Sequence, residues 1–331
     1  MPGAATVVIP TLNARDLLAE SLASLVAQTV PVDIVVVDNA STDGTAELLA
    51  ERFPDVTVLR NAENLGFGRA VNLGVAASGD DVETIVLVNN DTVCEPDFVE
   101  RLCAPLAHSD DVGMVAGVLV QKADPRLVDS AGIELDRTLR SWDICWNRPT
   151  DELAGAAEPV GPCGGAAAYR ASAFRAAGGF DETFFAYWED VDLALRLRLA
   201  GWRCVRVEEA HAVHAHSATL GASSPVQRRL EAFGRGYLLG RYRVARRRPL
   251  TRLKIAILDW PVLLVHLVVR RELGPIRARA RGLRAARQRP GLRAPLELAN
   301  VSFAEALRRQ AEILRLRFSG RLPGHFYGDP A

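Results

Sequence analysis

The chain has 331 residues, 49% hydrophobic and 24% charged, a composition that buries a sizeable core and excludes a disordered chain. Its formal net charge is zero. Residues 1–224 nevertheless hold 16 Lys and Arg against 33 Asp and Glu, and residues 225–331 hold 24 against 7, so an acidic body carries a basic tail able to meet nucleic acid, an anionic membrane or the body's own acidic face.

The first 120 residues alternate short β-branched runs with helical patterns: TVVIP, ARDLLAESLASLVAQ, DIVVVDN, TAELLAERF, VTVLRN, GRAVNLGVAAS and TIVLVNN. Several runs are apolar on consecutive residues, as strands covered on both faces must be. The pattern predicts a doubly wound α/β domain with ligands at the carboxyl ends of its strands. Each run ends in a polar cluster: Pro10 to Asn13, Asp38 to Thr42, Asn61 to Gly68 and Asn89 to Thr92.

From about 113 to 175 the pattern loosens, and irregular strands and loops are expected. A helix is then expected from Asp190, ending at Gly201 and followed by another strand. The tail carries LKIAILDWPVLLVHLVVRR, about 17 mainly apolar residues interrupted by Asp259 and Pro261, short of the ~20 that a membrane span needs. With Trp260 central and Arg252, Lys254, Arg270 and Arg271 flanking, the segment reads as an interfacial or re-entrant helix, or as a helix buried on the main domain. The division expected is 1–224 for the α/β domain and 225–331 for a basic helical extension.

The five cysteines form no C-x-x-C pair and no even framework, which argues against a zinc ribbon or a disulfide scaffold and fits a reducing cytosol. No basic stretch precedes the apolar run in MPGAATVVIPTLN, so no signal peptide is expected. No G-x-G-x-x-G follows the first strand and no G-x-x-x-x-G-K-[ST] occurs, which disfavours a nucleotidyltransferase or dehydrogenase on a similar α/β scaffold. The Arg-rich stretch 270–293 lacks interleaved aromatics, so no nucleic acid partner is expected.

Asp38 follows an apolar strand, where it can accept from a base N–H or a ribose hydroxyl, or cap the following turn with Ser41, Thr42 and Asp43. Asn64, Gly66, Arg69 and Asn72 surround a helix start that can approach phosphate closely.

In order, VVIPTLNARDLLAESLASLVAQT, IVVVDNASTDGT, NLGFGRAVNLG, VLVNNDT, GGAAAYR and FDETFFAYWEDVDLALRLRLAGW resemble the family-2 inverting glycosyltransferases of GT-A fold, and within them the bacterial rhamnosyltransferase-type members. The resemblance spans roughly residues 5–220. It implies a Rossmann-like, mostly parallel mixed sheet and the transfer of a sugar from a nucleotide diphosphate donor to a hydroxyl. dTDP-rhamnose is the favoured donor, with UDP-galactofuranose and other UDP or GDP hexoses as alternatives, and a sugar-nucleotide or glycan-binding module without activity is the rival of another class.

By the same resemblance Asp91, third residue of an N-N-D version of the D-x-D motif, binds Mg²⁺ or Mn²⁺ on the donor diphosphate. Asn89 stands where the first acid would be. The second protein ligand maps to His214, with His211 and His216 as competitors. Asp190 maps to the catalytic base, beside Glu189 and Asp192, whose mutual repulsion should raise one pKa. Pro10, Thr11, Asn13 and Asp38 line the nucleoside pocket with Asn89 and Asn90 beside them, Gly164, Gly165 and Arg170 form the loop under donor sugar and acceptor, and Trp188 with Tyr187 forms a sugar platform or belongs to the core. The partners implied are a dTDP- or UDP-sugar and a glycan or lipid-linked acceptor. A peripheral membrane contact at the cytosolic face and a homodimer complete the expectation.

Overall fold

The computed structural model describes residues 5–215, 224–246 and 248–319; the competitor His216 lies outside them. The strands are β1 (Ala5–Thr11), β2 (Asp33–Asp38), β3 (Thr57–Arg60), β4 (Thr84–Val88), β5 (Thr92–Cys94), β6 (Val112–Gln121), β7 (Val128–Ser130), β8 (Ile133–Leu135), β9 (Ser141–Asp143), β10 (Ala166–Arg170) and β11 (Arg203–His214). The helices are α1 (Arg15–Val26), α2 (Thr45–Arg52), α3 (Phe67–Ala77), α4 (Phe98–His108), α5 (Ala171–Ala176), α6 (Glu189–Leu199), α7 (Pro225–Arg241), α8 (Pro249–Leu264), α9 (Gly274–Ala285) and α10 (Phe303–Ser319). The chain divides into two compact units. The first is drawn from Met1–Ile133, Asp143–Phe185 and Glu189–Thr219, the second from Glu134–Trp142, Ala186–Trp188 and Leu220–Ala331.

The first unit is a mixed sheet in the order β3-β2-β1-β4-β10-β6-β11-β5, with β7 paired to β6. β3, β2, β1 and β4 run parallel, and β10 lies antiparallel between β4 and β6. Because side chains alternate along a strand, a consecutive apolar run feeds two cores at once. Val7, Ile9, Val36, Val86 and Val88 pack with Leu18, Leu22 and Leu25 of α1 and with Phe98 and Leu102 of α4. Val8, Val35, Val37, Ile85 and Leu87 pack on the other face with Val71 of α3, Phe174 of α5 and Leu193 and Leu197 of α6.

One sequence expectation is corrected here. Residues 112–121 form no loose segment but a ten-residue strand buried throughout and flanked by β10 and β11. Its glycines explain the weak signal: Gly113 and Gly117 lie against Trp202 and Phe98, so the apolar contact is supplied by neighbours rather than by the strand's own side chains.

In the second unit α7 and α9 pack backbone to backbone. A Cβ on Gly236 would strike the carbonyl of Arg279, and one on Gly282 that of Phe233, so glycine permits the approach. Beside them, Asp259 of α8 is buried among three arginines. Arg140 Nη1 lies 3.0 Å from its Oδ1, Arg235 Nε lies 3.4 Å from its Oδ2, and Arg279 also reaches Oδ2. Among the described residues no helix is long and apolar enough to cross a membrane.

Candidate active site

The parallel register sets Thr11 beside Asp38 and Val8 beside Leu87, so the polar clusters that end β1, β2 and β4 share one sheet edge. Asn90 Nδ2 donates to Thr11 Oγ1 at 3.0 Å, tying two of these clusters. Pro10 is buried within β1. Asn13, at φ 46°, donates its N–H to Ser41 Oγ and accepts from the Thr42 N–H, so it stitches the loop after β1 to the loop after β2. Fully buried Asp38 divides its two oxygens. Oδ1 accepts from the Ser41 N–H at 2.9 Å, while Oδ2 is buried 3.6 Å from Arg60 Nε with no hydrogen-bond partner in the protein.

The segment entering α3 is held by its own turn. Asn64 Oδ1 accepts from the Gly66 N–H at 2.9 Å, and Gly66, at φ +83°, lies so close to Phe185 that any Cβ would meet that residue's carbonyl. Arg69 is half exposed, 3.7 Å from Glu182. Asn72 grips the backbone of Phe180 with both ends of its amide, donating to the carbonyl and accepting from the N–H at 2.9 Å each. That bonding makes Asn72 a brace for the 180 loop.

β11 runs antiparallel to β5 with His214 opposite Thr92, and parallel to β6 with His214 opposite Gln121. This pairing carries His214 to Asp91: Nε2 lies 3.1 Å from Asp91 Oδ1. On the other ring nitrogen, Nδ1 lies 2.6 Å from Oδ2 of Asp129, supplied by β7. Asn89 Nδ2 approaches Nε2 at 3.4 Å. His211, three residues earlier on the strand, faces the opposite side. Burial alone would lower the His214 pKa, but the hydrogen bonds and charges of Asp129 and Asp91 outweigh it and push it up to about 10. The two carboxylates therefore favour the protonated imidazole.

These residues fit a divalent cation. Two adjacent corners of an octahedral shell at ~2.1 Å are about 3.0 Å apart, and Asp91 Oδ1 and His214 Nε2 already stand at 3.1 Å. Asp129 on Nδ1 supplies the carboxylate that fixes the tautomer and leaves the Nε2 lone pair for a metal. Among the described residues no group of three or more His, Cys, Asp and Glu side chains is placed to hold a metal ion. Asp129 had no signal in the sequence, where it sits alone in a polar stretch; strand pairing alone brings it to His214.

Glu189 and Asp190 open α6, and the helix dipole favours acids there. Asp190 Oδ1 accepts from the Val191 N–H at 2.7 Å and Oδ2 from the Gly164 N–H at 3.3 Å. Burial raises its pKa against those two bonds. Glu189 is buried with Oε2 unpartnered, and burial followed by the charge of Asp190 raises its pKa further. Asp192 is paired with Arg196, whose Nε lies 2.7 Å from its carboxylate.

Gly164 and Gly165 form the turn before β10. A Cβ on Gly165 would meet Asn89 Nδ2 at 2.9 Å. Asp190 is thus bonded to the Gly164 N–H, Gly165 follows with room for no side chain beside Asn89, and Asn89 approaches His214, which meets Asp91. Arg170, at the far end of β10, donates from Nε and Nη2 to the carbonyls of Val112, Leu106 and Ser109 and anchors the scaffold. Trp188 belongs to the second unit, where the Arg235 guanidinium lies 5.9 Å from its ring centroid and Gly234 packs on its ring. It and Tyr187 both adopt left-handed backbone, φ 79° and 69°, a strain rarely held by two aromatic residues in succession.

The sequence model of "Glycosyl transferase family 2" matches residues 6–178. The chain belongs to this family. One relative of this glycosyltransferase is the N-acetylglucosaminyl-diphospho-decaprenol L-rhamnosyltransferase of Mycobacterium tuberculosis, 32% identical over 238 residues, which cover 64% of the chain and 76% of the relative. That match puts the chain in the rhamnosyltransferase-like branch. Two solved structures share the fold. The Pyrobaculum calidifontis mannosyltransferase PcManGT, in complex with GDP-Man and Mn²⁺, has a TM-score of 0.52 at 20% identity, covering 98% of this chain and 82% of that one. GalNAc-T7 with UDP, GalNAc and Mn²⁺ has a TM-score of 0.57 at 14% identity over 72% of this chain, which spans about half of its length (48%). The mixed α/β sheet of the glycosyltransferase is thus of GT-A type.

Proposed function

We propose that this glycosyltransferase inverts the anomeric carbon of a nucleotide-diphosphate sugar, with dTDP-rhamnose the best-supported donor, in a metal-dependent displacement by a hydroxyl of a lipid-linked glycan. The observation that supports the reading is the pairing of Asp91 with His214 at 3.1 Å, with Asn89 beside them and Asp190 bonded to Gly164 of the turn that packs on Asn89. The relative's activity as an N-acetylglucosaminyl-diphospho-decaprenol L-rhamnosyltransferase supports the sugar and the acceptor class.

In this mechanism Asp38, whose Oδ2 has no hydrogen-bond partner in the protein, accepts an N–H from the donor base or a hydroxyl from its ribose. Asp91 and His214 would hold a divalent ion, which would supply positive charge to the departing diphosphate. Asp129 keeps the His214 ring in place. The acceptor hydroxyl gives its proton to the Asp190 carboxylate as its oxygen attacks the anomeric carbon. Glu189 keeps its own proton, so Asp190 is the ionised partner of the pair.

A panel of dTDP-, UDP- and GDP-sugars, each with and without Mn²⁺, tests the donor by thermal shift. The expected result is stabilisation by dTDP-rhamnose only with metal, and loss of transfer in Asp190→Asn with donor binding retained. Transfer surviving in Asp190→Asn, or stabilisation by another donor alone, overturns the corresponding part of the reading.

A further inference from the structure

More than half of the large apolar side chains exposed among the described residues fall between Leu250 and Leu273. On α8 they are Leu250, Leu253, Ile257, Trp260 and Leu264, spaced three and four apart, so they form a single stripe along one face. Leu267, Val268 and Val269 extend it onto the π-helical turn that follows. Leu250 is 74% and Trp260 66% exposed. On the opposite face, Leu258 is buried with Val301 and Ala306 of the same unit. The helix already has its own core, and the stripe is additional apolar surface.

Charge around the stripe has one sign. Arg248 and Arg252 stand at its beginning, and Arg270 and Arg271 at its end, all exposed. The acids of this segment are both turned away from it: Asp259 is buried among Arg140, Arg235 and Arg279, and Glu272 is paired with Arg228. Burial would raise the Asp259 pKa, but the three arginines hold it below the usual carboxylate value. The outward face therefore presents hydrocarbon between cationic ends, with an indole at the middle.

We propose that the α8 face, from Leu250 to Val269, is a docking surface for the headgroup region of an anionic lipid bilayer. A hydrocarbon stripe with cationic ends complements a layer whose surface is negative and whose interior is apolar, and no helix among the described residues is suited to crossing one. The helix lies in the interface plane, with Trp260 at the headgroup boundary. A protein partner of matching shape would need acidic groups at both ends of a hydrocarbon face; a second copy of this chain presents like charge there instead. The proposal does not depend on the identity of donor or base.

The test uses the full chain with vesicles of phosphatidylcholine and phosphatidylglycerol at three to one, and with phosphatidylcholine alone. Flotation with the anionic vesicles is expected to fall at least tenfold between low and high salt, as each basic residue near such a surface contributes about fivefold. Leu253→Glu combined with Leu264→Glu is expected to abolish flotation while the far-UV circular dichroism melt stays within a few degrees, since both residues are exposed. Brominated acyl chains are expected to quench tryptophan emission in the parent chain and not in Trp260→Phe. Absence of binding to anionic vesicles at low salt overturns the proposal, as does flotation that the double variant retains. A dimer by light scattering that the double variant converts to monomer, with no vesicle binding by either, assigns the face to a second copy and also overturns it.

Discussion

His214 lies between two carboxylates, with Nδ1 2.6 Å from Asp129 Oδ2 and Nε2 3.1 Å from Asp91 Oδ1. The ring is thus already held in the orientation a cation would require, and the two carboxylates favour a proton on the nitrogen that would face a metal.

Competition between that proton and a metal gives the first prediction. With a pKa pushed up to about 10, His214 must lose a proton when Mn²⁺ binds. Apparent Mn²⁺ affinity in the presence of a nucleoside diphosphate is expected to rise about tenfold per pH unit between pH 6.5 and 9, with close to one proton released. Titration calorimetry in buffers of different ionisation enthalpy measures both. An affinity independent of pH removes His214 from the ligand set.

The same pair gives a second expectation for the residue that the sequence did not reveal. Asp129→Asn leaves the ring nitrogen an amide in place of a carboxylate, and Mn²⁺ affinity is expected to fall 10- to 100-fold. In the metal-free protein the stabilisation from a raised His214 pKa is complete below the unfolded value near 6.5 and is lost as pH rises through about 10. The pH dependence of Tm across that window is therefore expected to flatten in Asp129→Asn and in His214→Gln.

The sequence carried the sheet's parallel half because its strands are covered on both faces, and consecutive runs such as Val7–Ile9 and Val35–Val37 announce this directly. It carried Asp91 and His214 through resemblance, 123 positions apart, and strand pairing brings them together. β6 was illegible because glycines break its apolar pattern, and its neighbours β10 and β11 come much later in the chain. Asp129 was illegible for a related reason: a lone acid acquires a role only through the strand beside it. Asn72 stood at a helix start of glycine-rich, phosphate-binding appearance, yet both ends of its amide are taken by Phe180, a long-range pairing that local spacing does not encode.

Gly66 tests the brace between the α3 entrance and the loop before α6. At φ +83° an L side chain is strained by on the order of 2 kcal/mol, and its Cβ would also collide with the Phe185 carbonyl. Gly66→Ala is expected to lower stability by more than that amount in urea denaturation and to weaken donor binding, because the Phe67 N–H bond to Phe185 at 2.7 Å is displaced with it.

Asp259 tests the second unit. Removing a buried carboxylate from three arginines leaves like charges uncompensated, which costs about 3–5 kcal/mol. Asp259→Asn is expected to produce that loss in a denaturant melt. Because the Asp259 pKa is lowered, its contribution is present above the unfolded carboxylate value and disappears as pH falls through the folded one. The parent and variant melts should converge in acid.

Glu189 and Asp190 separate two roles that adjacent carboxylates could share. Both are raised by burial, and Glu189 is raised further by its neighbour's charge, with Oε2 left without a partner; Asp190 keeps two N–H donors that favour its ionised form. In the proposed mechanism Glu189 is the proton-bearing member. Glu189→Gln, which resembles the protonated acid, is expected to keep transfer within about threefold, whereas Asp190→Asn should lose at least the ~10² that general-base catalysis contributes. A raised acid pKa means the folded state holds its proton more tightly than the unfolded chain, so stability declines as pH climbs from the unfolded value through the folded one. Glu189→Gln removes that decline. Its Tm should exceed the parent's at pH 9 by more than at pH 5, and an equal offset at both would place the ionised carboxylate on Glu189 instead.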